Sequence, residues 1–249
     1  MNYHIKAKNW KHIFNILSKR KDIRTGNESK LRIFIEAIWF ISRSGCQWRL
    51  LPEKYGSWRA VHRRFKRWID KGIWSYLLEN SIEADMESIM IDSTIVRAHA
   101  CSAGYKKDSQ EEQCLGRSKG GFTTKIHAVV DGLGNPLRFI LTAGQRNDIT
   151  QAEFLIKDFK TTSVIADKGY DSNALIEVIS ENKSEIVIPP KKNRKIQREY
   201  ESHVYKERHL IECFFGKIKH FRRVFSRFDK TAAAFMGFLN FVATLIWLR

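Results

Sequence analysis

The sequence has few cysteines and few prolines, and it lacks several signals that assign a chain to a class. Its four cysteines, Cys46, Cys101, Cys114 and Cys213, are scattered without a C-x-x-C pair. This excludes zinc-finger spacing and indicates reduced thiols in a cytosolic chain. The opening MNYHIKAKNWKH has no apolar signal region. No basic amphipathic membrane helix or lipidation motif stands out, so we expect no membrane partner and a cytoplasmic location.

Acidic residues are also scarce compared with basic ones. The chain has 44 Lys and Arg against 27 Asp and Glu, which gives a net charge of +17. Residues 1–80 carry 18 basic and 6 acidic side chains, and residues 191–230 carry 13 and 5. Two separate basic regions indicate a long polyanion that contacts the protein at more than one place.

Long apolar runs are limited to one segment, AAAFMGFLNFVATLIWL near the C-terminus. The segment contains Asn240 and Thr244 and stands alone, so we predict a buried closing helix instead of a membrane span. A hydrophobic content of 43% is typical of a globular protein, and 249 residues suffice for one large domain or two modest ones.

The first 80 residues predict a small helical domain. A helix over SKLRIFIEAIWFISRS ends at Gly45, a short turn follows, and a second helix begins near Ser57 and ends at Gly72. A short turn before a basic helix is typical of a helix-turn-helix motif in a DNA groove, although a solvated helix of a small bundle is the alternative. The predicted DNA contacts of this helix are Arg59, His62, Arg63, Lys66 and Arg67.

From residue 81 onward the pattern predicts an α/β domain that extends to residue 249. SIMIDSTIVRAH, GFTTKIHAVVD and PLRFILTAG read as strands, and the turn DGLGNP joins the last two as a hairpin. Helices and strands then alternate, which gives the order β-β-β-α-β-α-β-α and a mixed sheet flanked by helices. We predict a polar loop over residues 103–121 and one long amphipathic helix over about 203–225.

Three carboxylates occupy unusual positions in this pattern. Asp92 interrupts an apolar strand, and Asp167 follows another strand at the start of a turn. On the final long helix, Glu212 shares a narrow outward stripe with Tyr205, Arg208, Lys219 and Arg223. A charged group within a strand is costly unless it is paired or binds a metal. For Asp167 a turn role, and for Glu212 ordinary surface ion pairs, are the alternatives.

Together Asp92, Asp167 and Glu212 make an oxygen-donor set of the kind that Mg²⁺ or Mn²⁺ prefers. Two ions about 3.5–4 Å apart promote attack on a phosphodiester by water or by a 3′-hydroxyl. Three further polar residues have no assigned function. We expect His127 to be packed and hydrogen-bonded, Asp148 to cap the following helix and Asp171 to be a turn or cap residue.

These residues carry a resemblance to a known family. Tyr205, Arg208, Glu212 and Lys219 match the pattern Y-x-x-R-x-x-x-E-x-x-x-x-x-x-K of DDE transposases from bacterial insertion sequences, close to the IS-five group. IDSTIVRAHA, ADKGYDS and GGFTTKIHAVVDGLGNPL also resemble this family, as does SGCQWRLLPEKYGSWRAVHRRFKRW in the N-terminal part. The resemblance covers nearly the whole chain.

The resemblance implies an RNase H-like fold, a divalent metal and activity on terminal inverted repeats of double-stranded DNA. Asp92, Asp167 and Glu212 would bind the metals, Arg208 and Lys219 would contact DNA near the cut, and Tyr205 would position a phosphate or base. It implies cutting at the transposon end followed by in-line attack of the 3′-hydroxyl on target DNA. A homodimer or larger assembly at the bacterial nucleoid follows from joining two ends.

Two other functions remain open. A metal-dependent nuclease of the same fold uses the same carboxylates, but it needs neither a separate basic domain nor a joining step. A non-catalytic DNA-binding regulator has purely structural carboxylates, and in that case Glu212→Gln has no effect on activity.

Overall fold

The computed structural model describes residues 4–103, 111–118 and 121–249. The chain forms two compact units. Unit 1 comprises residues 1–82, 98–105 and 218–249, and unit 2 comprises residues 83–97 and 106–217. The predicted boundary near residue 80 is close to the end of the first segment of unit 1. The C-terminal helix, which the prediction places in the catalytic domain, instead groups with the N-terminal helices.

Unit 1 is helical. Its longer helices are α1 (Ala7–Ser18), α2 (Glu28–Ser44), α3 (Trp58–Asp70), α4 (Ile73–Glu79) and α10 (Ala232–Trp247). Gly45 ends α2 in a left-handed conformation (φ 67°), as its position in the sequence predicts. The core is aromatic, with Phe65 stacked on Phe238 of α10 at a ring distance of 4.4 Å. α10 is therefore the predicted closing helix. Within the described part of the chain, no helix combines the length and apolar character needed to cross a bilayer.

The connection between α2 and α3 differs from the prediction. It contains two 3₁₀ turns, Trp48–Leu50 and Glu53–Tyr55, and it extends from Gly45 to Ser57. A helix-turn-helix motif has a turn of about three to four residues. Trp48 contacts Phe65 of α3, and Leu51 is buried. The longer connection therefore packs against the core of unit 1.

Unit 2 contains a mixed sheet. Its strands are β1 (Ser88–Ala98), β2 (Gly116–Ser118), β3 (Gly121–Asp131), β4 (Pro136–Ala143), β5 (Ser163–Ile165) and β6 (Glu185–Val187). They follow the order β2-β3-β1-β5-β6, with β4 also paired to β3. β1 is antiparallel to β3 and parallel to β5, and β5 is parallel to β6. The helices of this unit include α5 (Ile149–Ile156) and α6 (Asn173–Glu181). The predicted mixed α/β fold, with a mixed sheet flanked by helices, is confirmed.

The predicted polar loop over residues 103–121 is only partly visible. Residues 104–110 and 119–120 lie outside the described residues. Within the remainder, Gly116–Ser118 form β2, which pairs with the beginning of β3. The loop prediction is wrong at that point, because backbone pairing with a neighbouring strand compensates for a polar local sequence.

The predicted hairpin turn between β3 and β4 also holds a helix in place. Asp131 accepts hydrogen bonds from the backbone N–H groups of Leu133 and Asn135. Gly134 has a positive φ of 77°, and a Cβ atom there would lie 3.1 Å from Cβ of Leu210. This turn is therefore the contact surface for the start of α8 (His209–Lys219), the helix that carries Glu212.

The long helix predicted over 203–225 is interrupted. The structure has α7 (Ser202–Tyr205), a 3₁₀ turn (Lys206–Arg208), α8, and α9 (Arg222–Phe225), followed by the short strand β7 (Ser226–Arg227). Phe221 has an extended backbone (φ −91°, ψ 107°). This break rotates the residues that follow it, so Phe225, which an unbroken helix would place on the side opposite the outward stripe, is 60% exposed.

Candidate active site

Asp92 lies in the middle of β1, opposite Ala128 of β3. Its side chain is 20% exposed. Burial raises the pKa of this carboxyl to about 6, and the neighbouring charges of Asp167 and Asp148 add to the rise. A hydrogen bond from the N–H of Ser93 and the charge of Arg208 act in the opposite direction. Asp92 is therefore a carboxylate with too little compensating positive charge, which is a common property of functional sites.

Asp167 follows β5 and begins the 3₁₀ turn Lys168–Tyr170. Its Oδ1 accepts a hydrogen bond of 2.7 Å from the N–H of Gly169, so it does stabilise the turn that its sequence position suggests. In the parallel pair, Met90 of β1 lies beside Ile165 of β5. Extending that register by two residues brings Asp92 level with Asp167. The two carboxylates are therefore close enough to interact, and the charge of Asp167 contributes to the raised pKa of Asp92.

Glu212 is connected to Asp92 through Arg208. The guanidinium of Arg208 donates to Asp92 Oδ2 at 3.1 Å and also forms a close ion pair with Glu212 Oε1. Arg208 is half-buried, whereas Glu212 is 55% exposed. Burial alone would lower the pKa of the Arg208 guanidinium, but the charges of Glu212 and Asp92 raise it above its ordinary value. The sequence pattern predicts Arg208 beside Glu212, and the structure adds its bond to Asp92.

The donor chemistry of these residues fits divalent ions. Asp92, Asp167 and Glu212 offer only carboxylate oxygens, which Mg²⁺ and Mn²⁺ prefer. Asp92 keeps a raised pKa even with Arg208 beside it, so additional positive charge is favourable there. Among the residues that the structure describes, no three His, Cys, Asp or Glu side chains converge into a metal-binding cluster. The guanidinium of Arg208 lies between two of the three predicted ligands.

A second set of polar residues adjoins Asp92, and the sequence pattern did not identify it. Asp148 accepts a hydrogen bond from Ser93 Oγ at 2.8 Å and forms an ion pair with Lys125 Nζ at 2.7 Å. Lys125 also donates to the carbonyl of Arg146 at 2.6 Å. Asp148 is the N-cap residue of α5 but makes no side-chain capping bond, so its predicted capping role is wrong. Its carboxylate is directed to the strands instead.

His127 and Tyr170 are buried near this second set. His127 Nε2 lies 2.8 Å from Thr142 Oγ1, as expected for a packed and hydrogen-bonded histidine. Burial lowers the pKa of His127 to about 4, so the ring is neutral at pH 7. Tyr170 is 1% exposed. Burial raises the pKa of its hydroxyl, and the charge of Asp92 adds to this, so the phenol stays protonated.

Asp171 has a larger structural role than the turn position that its sequence suggests. It is 2% exposed and accepts hydrogen bonds from the N–H of Lys191 and from Arg194, each at 2.8–2.9 Å. Burial alone would raise the pKa of Asp171, but these bonds and the charge of Arg198 hold it below its ordinary value. Asp171 thus fixes part of the second basic region.

The remaining predicted residues of the outward stripe separate. Tyr205 is half-buried, with its ring 6.0 Å from the guanidinium of Arg208. Lys219 is the half-buried last residue of α8. Arg223 is not on an outward face: it is 4% exposed and pairs with Asp229 at 2.7 Å. Its placement as an exposed DNA contact is wrong, because the helix breaks at Phe221.

The basic side chains predicted on α3 lie mainly in solvent. Arg59, Arg63, Lys66 and Arg67 are exposed. His62 is half-buried, with its ring 4.7 Å from that of Trp48. Burial lowers the pKa of His62, and the nearby Lys66 adds to this. Their contact with DNA stays a prediction.

Comparison with known proteins matches two consecutive parts of the chain to transposase families. Residues 5–78 match a family described as "Putative transposase of IS4/5 family", and residues 83–246 match a family described as "Transposase DDE domain". The chain is 44% identical over 129 residues to "Putative transposase for insertion sequence element IS6501" of Brucella ovis, covering 51% of this chain and 99% of the relative. It is 31% identical over 135 residues to "Putative transposase for insertion sequence element IS402" of Burkholderia cepacia, covering 49% and 62%.

Among solved structures, a piggyBac transposase synaptic complex with hairpin DNA shares 14% sequence identity with this chain at a TM-score of 0.42. The match covers 78% of this chain and 50% of that one.

Proposed function

This chain belongs to the family of transposases with a DDE domain, and from that premise we propose that it cuts DNA at the terminal inverted repeats of an insertion sequence and joins the released 3′-hydroxyl to target DNA. The family acts on DNA in transposition and generally uses divalent metal ions. The observation that supports the proposal most directly is the bond from Arg208 to Asp92 together with its ion pair to Glu212, while the charge of Asp167, just after β5, also acts on Asp92.

In this proposal, Asp92, Asp167 and Glu212 hold two Mg²⁺ or Mn²⁺ ions. The bound ions supply Lewis-acid activation of the attacking oxygen and stabilisation of the leaving oxygen. The chain's own contribution is to fix the carboxylates on rigid elements. Asp92 is held within a paired strand, Asp167 by its bond to Gly169, and Glu212 by a helix that packs against the β3–β4 turn.

Arg208 orients the substrate in this proposal. A guanidinium that pairs with carboxylates also matches a phosphate group, because each offers two anionic acceptor oxygens at a spacing that suits the N–H groups of arginine. When DNA and metal are bound, Arg208 donates to a phosphate beside the cut instead of to Asp92. Tyr205 lies against Arg208 and supports its orientation, and Lys219 contributes a further backbone contact.

The proposed partner is double-stranded DNA, first the transposon ends and then the target. The exposed cations of α3 bind this duplex outside the catalytic site. Joining two ends requires two sets of catalytic residues, so we propose a homodimer or larger assembly on DNA, at the bacterial nucleoid.

The test is a joining assay with a labelled duplex that carries the element's end and a plasmid target. Wild-type protein and Glu212→Gln are compared in Mg²⁺ and in EDTA. We expect joined product only from the wild type with metal. Glu177→Gln is the matched control, because Glu177 is an exposed glutamate on a different helix, α6.

The other outcomes separate the alternatives. Cleavage without joining identifies a metal-dependent nuclease of the same fold. Duplex binding without cleavage identifies a DNA-binding regulator. Joining by Glu212→Gln at the wild-type rate contradicts the assigned catalytic role of Glu212.

A further inference from the structure

The α3 helix has two basic faces, and one of them lines a cleft within unit 1. The cleft has a volume of about 690 Å³, and its opposite wall is the segment from Asp22 to Leu31, which includes the start of α2. Ala60, Arg64 and Lys71 follow one another at intervals that keep them on the same side of α3 and its C-terminal turn. The cations that line the cleft are Arg24, Lys30, Arg63, Arg64, Arg67 and Lys71.

The positive charge of this cleft is not neutralised from within. Asp22 is its only acidic lining residue among those described, and it is already bonded to Arg20 at 2.8 Å and to Lys71 at 3.6 Å. In the described part of the chain, no carboxylate forms an ion pair with Arg24, Lys30, Arg63, Arg64 or Arg67. Unpaired cations that face one another repel, and a bound anion relieves that repulsion.

Arg64 is the most constrained of these cations. Its guanidinium lies over the ring of Phe34 at 4.4 Å and over that of Trp68 at 5.3 Å. It is half-buried, and burial lowers its pKa, with the charge of Arg67 adding to this. Two aromatic faces hold the planar group in one orientation, so little side-chain entropy is lost when it binds a ligand.

We propose that this cleft binds consecutive phosphates of a duplex DNA backbone. The proposal deepens the proposed function, because it assigns the site on unit 1 where the DNA partner is held. Arg and Lys supply most phosphate contacts in protein–DNA complexes, and such contacts position the duplex without reading its sequence. Arg24, Lys30, Arg64 and Lys71 thereby become DNA contacts in addition to those predicted on the outer face of α3.

The second basic face of α3 takes a different role in this arrangement. It presents Arg59, His62 and Lys66 beside the shared ridge of Arg63 and Arg67. Arg59 and Lys66 are exposed at a second groove on this face, so they are accessible to base edges or to a second backbone. The cleft then contributes affinity that is independent of sequence.

The test measures duplex affinity by fluorescence anisotropy in the full chain carrying Asp92→Asn, so that the DNA is not cut. The cleft variant adds Arg24→Gln, Lys30→Gln and Arg67→Gln. We expect its dissociation constant to rise by about tenfold or more, equally for unrelated sequences. Between about 50 and 200 mM salt, the slope of log affinity against log salt should become shallower by roughly 0.9 for each phosphate that the variant no longer neutralises.

The matched control removes the same charge from exposed positions outside the cleft, with Lys11→Gln, Lys157→Gln and Lys160→Gln in the same background. Thermal unfolding by circular dichroism checks that each variant is folded. The cleft does not bind DNA if the folded cleft variant keeps the wild-type affinity and salt dependence while Arg59→Gln/Lys66→Gln binds duplex more weakly. If the protein binds duplex through the cleft but never joins ends, the proposed function is contradicted and the proposal that the cleft binds DNA is supported.

Discussion

The two units use positive charge in different ways. Near the candidate site of unit 2, two cations lie against carboxylates: Arg208 against Asp92, and Lys125 against Asp148. In unit 1 the cations of α3 face solvent or a cleft, and no carboxylate pairs with them among the described residues. The basic residues behind the net charge of +17 therefore fall into two groups. One part neutralises acids within the fold, and the other is available to an external anion.

Unit 1 also contains cations that pair with acids: Arg20 and Lys71 share Asp22, Arg32 pairs with Glu36, and one further pair is buried. Arg223 and Asp229 form a buried pair with two hydrogen bonds, at 3.0 and 2.7 Å, and Arg223 also donates to the carbonyl of Cys46 at 3.2 Å. This cation has a structural role, although its position in the sequence gives it the appearance of a DNA contact. Charge in a sequence does not distinguish the two roles, and burial does.

The largest expected effect is a variant of unit 2 that loses the joining reaction but keeps its affinity for duplex DNA. Asp92→Asn should lower the joining rate by on the order of 10³-fold or more, because charge stabilisation of several kcal/mol in the transition state is removed. The dissociation constant for duplex DNA should stay within about twofold, since phosphate contacts on unit 1 determine it. Joining assays and anisotropy on the same preparation measure both, with the exposed Glu153→Gln as control. Normal joining by Asp92→Asn would contradict the catalytic assignment.

The buried pair of Arg223 and Asp229 in unit 1 should affect the free energy of unfolding and not the affinity for DNA. Asp229→Ala should lower the free energy of unfolding by about 3–5 kcal/mol, because it leaves the charge of Arg223 buried and unpaired. The double variant Arg223→Met/Asp229→Leu should recover most of this stability, since an apolar pair of similar volume replaces the ion pair. Urea denaturation measures both. If Asp229→Ala unfolds like the wild type but binds duplex more weakly, Arg223 is a DNA contact after all.

The smallest expected effect is the dependence of stability on pH that His127 of unit 2 causes. The side chain of His127 is fully buried. Its pKa is lowered from 6.5 to about 4, mainly by burial, while Asp148 raises it and Lys125 lowers it. The unfolded chain therefore binds this proton first, and stability falls as the pH drops from about 6.5 to 4. The shift corresponds to about 3 kcal/mol.

His127→Gln keeps a hydrogen-bonding side chain and removes the titration, so its unfolding free energy should change less between pH 7 and about 4. His209→Gln, at an exposed histidine of α8, should follow the wild-type curve. Urea denaturation at several pH values distinguishes them. Identical curves for wild type and His127→Gln would show that other groups cause the acid sensitivity.

Much of the sheet can be predicted from the sequence, because the alternation of apolar and polar residues and the turn residues specify strands and hairpins through neighbouring positions only. The strand β3 has the predicted bounds, and the turn that follows it is the predicted hairpin. The partners of Lys125 do not follow in the same way. A charged residue within a strand requires a partner, and this reasoning identified Asp92 but applies equally to Lys125. The partner is Asp148, in the loop before α5, and only the folded sheet brings them together.

The site was predicted least well where one assumption extended over a long segment. A helical wheel assigns Glu212 and Arg223 to the same stripe only when every residue between them advances by the same angle. The extended backbone at Phe221 breaks that condition, and the residues after it turn inward or outward independently. Arg208 precedes the break, so its predicted proximity to Glu212 agrees with the structure.

The closing helix of unit 1 has a consequence for the order of folding. Asn240 of α10 donates to Ser75 Oγ at 3.1 Å, across 165 residues of sequence. Closing a loop of that length costs conformational entropy before its contacts form. Most of the intervening chain belongs to unit 2, so its prior collapse shortens the loop that remains. We therefore expect the sheet to form first, with the aromatic surfaces of α3 and α4 uncovered and prone to aggregate until α10 packs against them.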